Sequence, residues 1–386
     1  MIPTRPFVLR SVRVPLVALA VGALVALPLL ARRAAPHLRV AVFEGLGADP
    51  ECLSDAVEAL KVDPGIEPVV LTAAGIVRGG LDRCDAIVFP GGGGARQMAN
   101  LGGLGRAKVL SFVREKGKGA VGLCAGAYML SDTPDYACFH LAPLEAIDRE
   151  HDERGHGMVK VRLTPDSATV FPELKGAAAV FMQYFEGPVL VPSKRGAFTE
   201  VGVMESDVAL QNDAPKGMTP GRTFLAWADA GRGRVFVSSG HPENTPGLRW
   251  MVPRMVRWTL REKLVSYGSN VVRPGRNQQE VLFDAPTRKA ERAHFDALAV
   301  GTAEQKLAAI PQLLSMRSWG AKERLEGALR DDDGRVRLAA AEALVDLEHT
   351  AAIPDLVAAA ATEPDAAPRS RLEERLAKLR AMSGGR

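Results

Sequence analysis

Three stretches of this 386-residue sequence carry residues whose types and neighbours suit acyl chemistry. Cys124 stands in AVGLCAGAYML (120–130), where a short apolar run meets a cluster of small residues. A strand that ends in cysteine and turns at once into a helix puts the sulfur at a helix N-terminus. The unpaired amides and dipole there favour a thiolate, and small neighbours suit so cramped a turn. The plainer reading is packing, a small buried hydrophobe among residues that let backbones approach. His241 and Glu243 stand in SSGHPE (238–243). A histidine can take a thiol proton and return it to a leaving group, and a carboxylate fixes its tautomer. Two apart on an extended segment, the two side chains point the same way, with Pro242 stiffening the link. The glycines of FPGGGG (89–94) let backbone N–H groups face a site, so Gly92, Gly93 and the amide of Ala125 would form an oxyanion hole. Each piece alone is also read as packing, a bare turn or a loop cap. A nucleophilic cysteine with a distant histidine is nonetheless the pattern of a catalytic pair, because such partners meet only in the fold.

The elements around these residues alternate. HLRVAVFEG (37–45), IEPVVLTA (66–73), CDAIVFPGGGG (84–94) and GAVGLC (119–124) read as short apolar strands. Helical spacing fills 48–63, opened by Asp49-Pro50, and 96–117, broken at Gly102-Gly103. Strands separated by helices predict a parallel sheet covered on both faces, with functional residues at the carboxyl ends of the strands. Residues 157–240 read as an antiparallel extension of that sheet. Beyond about residue 285 the texture changes to Ala, Leu, Glu and Arg. KLAAIPQLLSM (306–316), RLAAAEALVDL (337–347) and RLEERLAKLRAM (371–382) recur near a thirty-residue period, as do ERLEGALRDDDG (323–334) and PDLVAAAATEPD (354–365). That period of helix pairs predicts a short α-solenoid resembling HEAT repeats. It carries no chemical motif, so it is expected to bind a protein or brace the first domain and to leave the thiol site untouched.

The first domain, 38–265, resembles the class I glutamine-amidotransferase-like superfamily, whose fold is flavodoxin-like α/β. GLCAG (122–126), HPE (241–243) and PGG (90–92) carry the resemblance. CAGAY (124–128), YFEGP (184–188) and SSGHPE resemble the branch found at the N-terminus of biotin–protein ligases and in stand-alone bacterial proteins. The resemblance implies Cys124 as nucleophile, His241 as base, Glu243 as its orienter, and Gly92 with Ala125 as oxyanion donors. Tyr128 and Tyr184 are expected in the substrate pocket. Tyr128 stands where glutamine amidotransferases carry glutamine, which weakens the case for a glutaminase. No ATP-binding or biotin-transferring motif is present, so ligase activity is not implied. No cofactor or metal is expected.

The remaining candidates have weaker patterns. REHDERGHG (149–157) gathers His151, Asp152, Glu153 and His156 and reads either as metal ligands or, by its Gly and Arg content, as a charged loop over the site. Cys52, Cys84 and Cys138 lack metal spacing; Cys52 and Cys84, near strand ends, read as core, and a disulfide outside the cytoplasm is the other option. The uncharged run 14–31 follows Arg5, Arg10 and Arg13. It reads as an apolar membrane anchor within residues 1–36, with a cleaved signal peptide second and a buried core helix third; either of the first two puts the body on the periplasmic side. The net charge of +4 is mostly local, since the first forty residues hold six arginines and no acid. With few aromatics, that leaves no nucleic-acid surface. The expected order is therefore 1–36, 38–265, a linker 266–289 and helical repeats 290–386. Two functions fit it: an extracytoplasmic Cys-His-Glu hydrolase or amidase of a small amide or acyl compound, or a catalytically silent binding protein that works through its repeats.

Overall fold

The structure is a computed structural model that describes residues 37–383. The apolar run 14–31 lies outside them, and no helix among the described residues is long and apolar enough to cross a membrane.

The first half runs β1 (Leu38–Glu44), α1 (Pro50–Leu60), β2 (Ile66–Thr72), α2 (Ala73–Val77), β3 (Ala86–Phe89), α3 (Gly94–Arg114), β4 (Gly119–Leu123) and α4 (Ala125–Leu130). Period-two alternation sorts β1 between two cores. Val40 and Val42 face the side covered by α1, while Ala41 and Phe43 face the side covered by α3. Asp49 caps α1 by accepting from the amides of Glu51 and Cys52, and Pro50 pre-sets the first turn. Non-helical backbone at Gly102 interrupts α3.

The chain continues through β5 (Leu144–Ala146), β6 (His156–Leu163), α5 (Ser167–Val170), β7 (Ala179–Phe185), β8 (Leu190–Pro192), β9 (Thr199–Met204), β10 (Thr223–Ala230), β11 (Gly233–Ser238), α6 (Met251–Thr259) and β12 (Val281–Leu282). The sheet order is β12-β6-β9-β10-β11-β4-β3-β1-β2. The strands β2, β1, β3, β4 and β11 are parallel, whereas β10, β9 and β6 extend the sheet antiparallel. Strand order reverses between β1 and β3, the kind of place where a crevice opens at the carboxyl ends of an α/β sheet. Val281 and Leu282, inside the segment expected as linker, add an edge strand to β6.

Six helices follow: α7 (Ala285–Val300), α8 (Ala303–Ser315), α9 (Ala321–Ala328), α10 (Gly334–Asp346), α11 (Ile353–Thr362) and α12 (Ala366–Met382). A capping box of Thr302 and Gln305 starts α8. Leu372, Leu376 and Leu379 are the buried stripe of α12, at the spacing of one helix face. The helices share the core of the α1/α6 face of the sheet. Polar ties join the two parts. Lys322 pairs with Asp55 at 2.7 Å, both buried. Arg249 donates to the Glu348 carbonyl and the Thr350 hydroxyl, each at 2.7 Å. Gln183 donates to the Arg317 carbonyl at 2.8 Å. The α/β part and the helices form one compact unit.

Candidate active site

Strand register brings the distant pieces together. Leu123 lies opposite Ser238 in the parallel pair β4/β11, so both chains leave the sheet side by side. The Cys124 amide donates to the Ser238 carbonyl at 2.8 Å. Cys124 then sits between β4 and α4 with φ 50° and ψ −107°. That backbone is strained for a residue with a side chain and persists only where its surroundings hold it. Gly126 is part of the hold, because a Cβ there would fall 2.1 Å from the Phe89 carbonyl oxygen. The thiol donates to the Phe185 carbonyl at 3.4 Å.

His241 is 1 % exposed, and its Nδ1 meets Glu243 Oε1 at 2.7 Å. The contact does not come from an extended segment, as expected. Pro242–Asn244 forms a single 3-10 turn that folds Glu243 back onto the ring. Nε2 is buried with no hydrogen-bond partner among the described residues. Burial alone would depress the imidazole, yet the Cys124 sulfur and the Glu243 carboxylate carry it well above its ordinary value.

These residues lie in a cavity of about 770 Å³. The glycine loop and the start of α1 form one wall. Tyr128 and Tyr136 form another, Arg149, Asp152 and Glu153 with Phe185 and Glu186 a third, and Trp319 from the turn between α8 and α9 a fourth. The Trp319 ring also meets that of Phe185 edge to face, 5.8 Å between centroids.

Residues 38–141 match the family model described as biotin-protein ligase, N terminal. Residues 297–377 match the model of HEAT repeats. Similar solved structures include the glutaminase domain of Trypanosoma brucei CTPS with bound acivicin. It is 10% identical, the match covers 60% of this chain and 98% of that one, and the TM-score is 0.39. A putative ThuA-like protein from Parabacteroides merdae is 11% identical, with 61% and 94% covered and a TM-score of 0.43. No curated protein sequence matches.

Cys124, His241, Gly92, Gly93 and Tyr128 line one pocket, with Glu243 behind the histidine. The amides of Gly92 and Ala125 have no acceptor among the described residues. Gly93 does not serve as expected, since its amide is spent on the Gly47 carbonyl at 2.7 Å. Tyr184 is corrected as well. It is wholly buried beneath the pocket and donates to the Gly187 carbonyl at 2.7 Å. Tyr128 reaches the wall through its ring, while its hydroxyl donates to Asp148 at 2.5 Å. Asp148 is held in turn by the buried Arg154 at 2.5 Å. Neither member of that pair stood out in the sequence: Arg154 belongs to the segment 149–157 read as a charged loop, and Asp148 just precedes it.

Cys52 is the other residue the sequence concealed. It is neither at a strand end nor plain core. It sits in the first turn of α1 and lines the pocket, with ligand atoms of Cys52, His241 and Glu243 within 4.8 Å of one another. Burial pushes its thiol well above the ordinary range, which keeps it protonated. All four cysteines are free thiols. His151 and His156 do not converge on a metal site: His156 stacks between Phe185 and Phe283, at 4.5 and 4.7 Å.

Proposed function

We propose that this protein is a cysteine-nucleophile hydrolase or amidase acting on a small amide or acyl compound. The observation that carries the reading is a buried His241, oriented by Glu243 at 2.7 Å, whose free Nε2 shares a pocket with the strained Cys124. In the proposed reaction His241 takes the Cys124 proton and the sulfur adds to the acyl carbon. The amides of Gly92 and Ala125 receive the oxyanion. His241 returns the proton to the departing amine or alcohol, and a water cleaves the thioester with the histidine again as base. Glu243 holds the tautomer throughout.

Alkylation by iodoacetamide at neutral pH tests this. Cys124 is expected to react fastest of the four thiols. His241→Ala should slow it about tenfold or more, and Glu243→Gln should slow it less. Cys124 reacting no faster than Cys52 or Cys84, with no dependence on His241, would overturn the reading. The silent-scaffold alternative predicts that outcome. It is disfavoured because the repeats spend Trp319 on the pocket rather than on an outer surface.

The placement of the body outside the cytoplasm, through residues 14–31 as anchor or signal, is part of the same proposal. It rests on the uncharged run behind three arginines. Fractionation of untagged protein tests it, and recovery from the cytosol would overturn it. A protein partner on the outer face of the repeats is proposed from the HEAT match alone.

A further inference from the structure

The charges around the pocket are uneven. Five carboxylates line it, those of Asp49, Glu51, Asp152, Glu153 and Glu186, against the guanidinium groups of Arg96 and Arg149. On the wall formed by α1 the acids are committed. Asp49 caps the helix, and Glu51 faces Lys322 at 3.6 Å. Elsewhere in the lining, Asp152, Glu153 and Glu186 form no ion pair with any Lys, Arg or His among the described residues. Their partners are neutral. Gln211 donates to Glu186 at 2.7 Å, Asn212 to Glu153 at 3.2 Å, and the Glu153 amide to Asp152 at 3.1 Å. Arg154, next in sequence, is buried and committed to Asp148. Arg149 donates to the Asp135 carbonyl, and Arg96 packs along Gly93, at the end where an acyl oxygen would be received.

Glu186 has left-handed backbone, at φ 52°. Partial burial and the neighbouring Glu153 push its carboxyl up, so the acids repel one another and a cation among them would relieve the repulsion. The rings of Phe185, Trp319 and Tyr136 line the same space, and an organic cation gains from such faces. The Nε2 of His241, buried and without a hydrogen-bond partner among the described residues, belongs to the lining of the same cavity.

The geometry points to a substrate that bears an organic cation, an ammonium or guanidinium group. Its acyl carbon lies at Cys124, and its charge lies among Asp152, Glu153 and Glu186 beside Trp319. This rests on the reading of Cys124 as nucleophile. The segment REHDERGHG thereby has a task that is neither metal ligation nor mere solvation.

Three alkylating reagents of different charge test the inference on the full chain. They are 2-bromoethylammonium, iodoacetamide and iodoacetate, and each rate at Cys124 is divided by its rate with N-acetylcysteine. The normalised ratio of cation to anion is expected to reach about tenfold at low salt and to fall as salt is raised. In the triple variant Asp152→Asn/Glu153→Gln/Glu186→Gln it should drop toward one, whereas Glu304→Gln on the repeats should not move it. A ratio near one in the wild type, or a ratio indifferent to the triple variant, would overturn the inference while leaving the nucleophile intact. Inertness of Cys124 to iodoacetamide would instead overturn the nucleophile. Binding is then read without the thiol, by tryptophan fluorescence of Cys124→Ser titrated with benzylammonium and with benzoate. A saturable response to the ammonium alone, lost in the triple variant, supports the cation site; an equal response to both, or to neither, refutes it.

Discussion

The rings of Trp319 and His241 meet edge to face, 4.6 Å between centroids and 75° between planes. A residue of the helical repeats therefore covers the proposed base. This corrects the expectation that the repeats stand apart from the site. Trp319 keeps water from the imidazole and so strengthens its attraction to the Cys124 sulfur. Trp319→Ala should slow Cys124 alkylation at neutral pH about threefold or more, because water then competes with the imidazole for the sulfur. Trp319→Phe should restore most of the rate. An unchanged rate in the alanine variant would reduce Trp319 to packing.

Lys322 should matter to stability more than a surface lysine. It and Asp55 are both 4 % exposed and lie 2.7 Å apart across the junction of helices and sheet. Lys322→Met leaves a buried carboxylate without its main cation, at a cost of about 3–5 kcal/mol. Adding Asp55→Asn should recover part of the loss. Urea denaturation of the single and double variants measures both.

Gly126 should tolerate nothing larger. The Phe89 carbonyl 2.1 Å from an added Cβ belongs to the backbone and cannot swing away. Gly126→Ala is expected to destabilise by about 2 kcal/mol or more and to abolish selective Cys124 alkylation. Gly103→Ala, where an added Cβ meets nothing within 4 Å, should be neutral or stabilising by up to about 1 kcal/mol.

His156 links stability to pH. Burial, with Arg288 as the nearby cation, lowers its pKa to about 4 from 6.5. Between those values the unfolded chain binds more protons than the folded one. Its contribution to stability is therefore full above about pH 6.5 and is lost as pH falls toward 4, by at most about 3 kcal/mol. In His156→Phe, denaturation midpoints between pH 7 and 4.5 should fall less steeply than in the wild type. An equal slope would show that other groups carry the acid sensitivity.

Apolar runs of four to seven residues between helical periods left little choice but a parallel sheet, and a glycine-framed cysteine at the end of such a run announced its turn. The spacing of His241 and Glu243 was readable because they are neighbours in the chain, although a 3-10 turn, not an extended strand, supplies the contact. The thirty-residue repeat was equally plain, since every unit must bury the same stripe. The tertiary structure alone decided what surrounds the cysteine. Nothing local distinguishes Cys52 from core, Gly93 from a free donor, Tyr184 from a pocket wall, or Trp319 from a solenoid aromatic. Their roles depend on groups up to some two hundred residues away, brought close by the register of β4 against β11 and by the docking of the helices on the α1/α6 face. Periodicity reports which face of an element is buried, because that is a property of consecutive residues. Which partner lies across that face depends on how the elements pack, and the same apolar stripe fits many partners equally well.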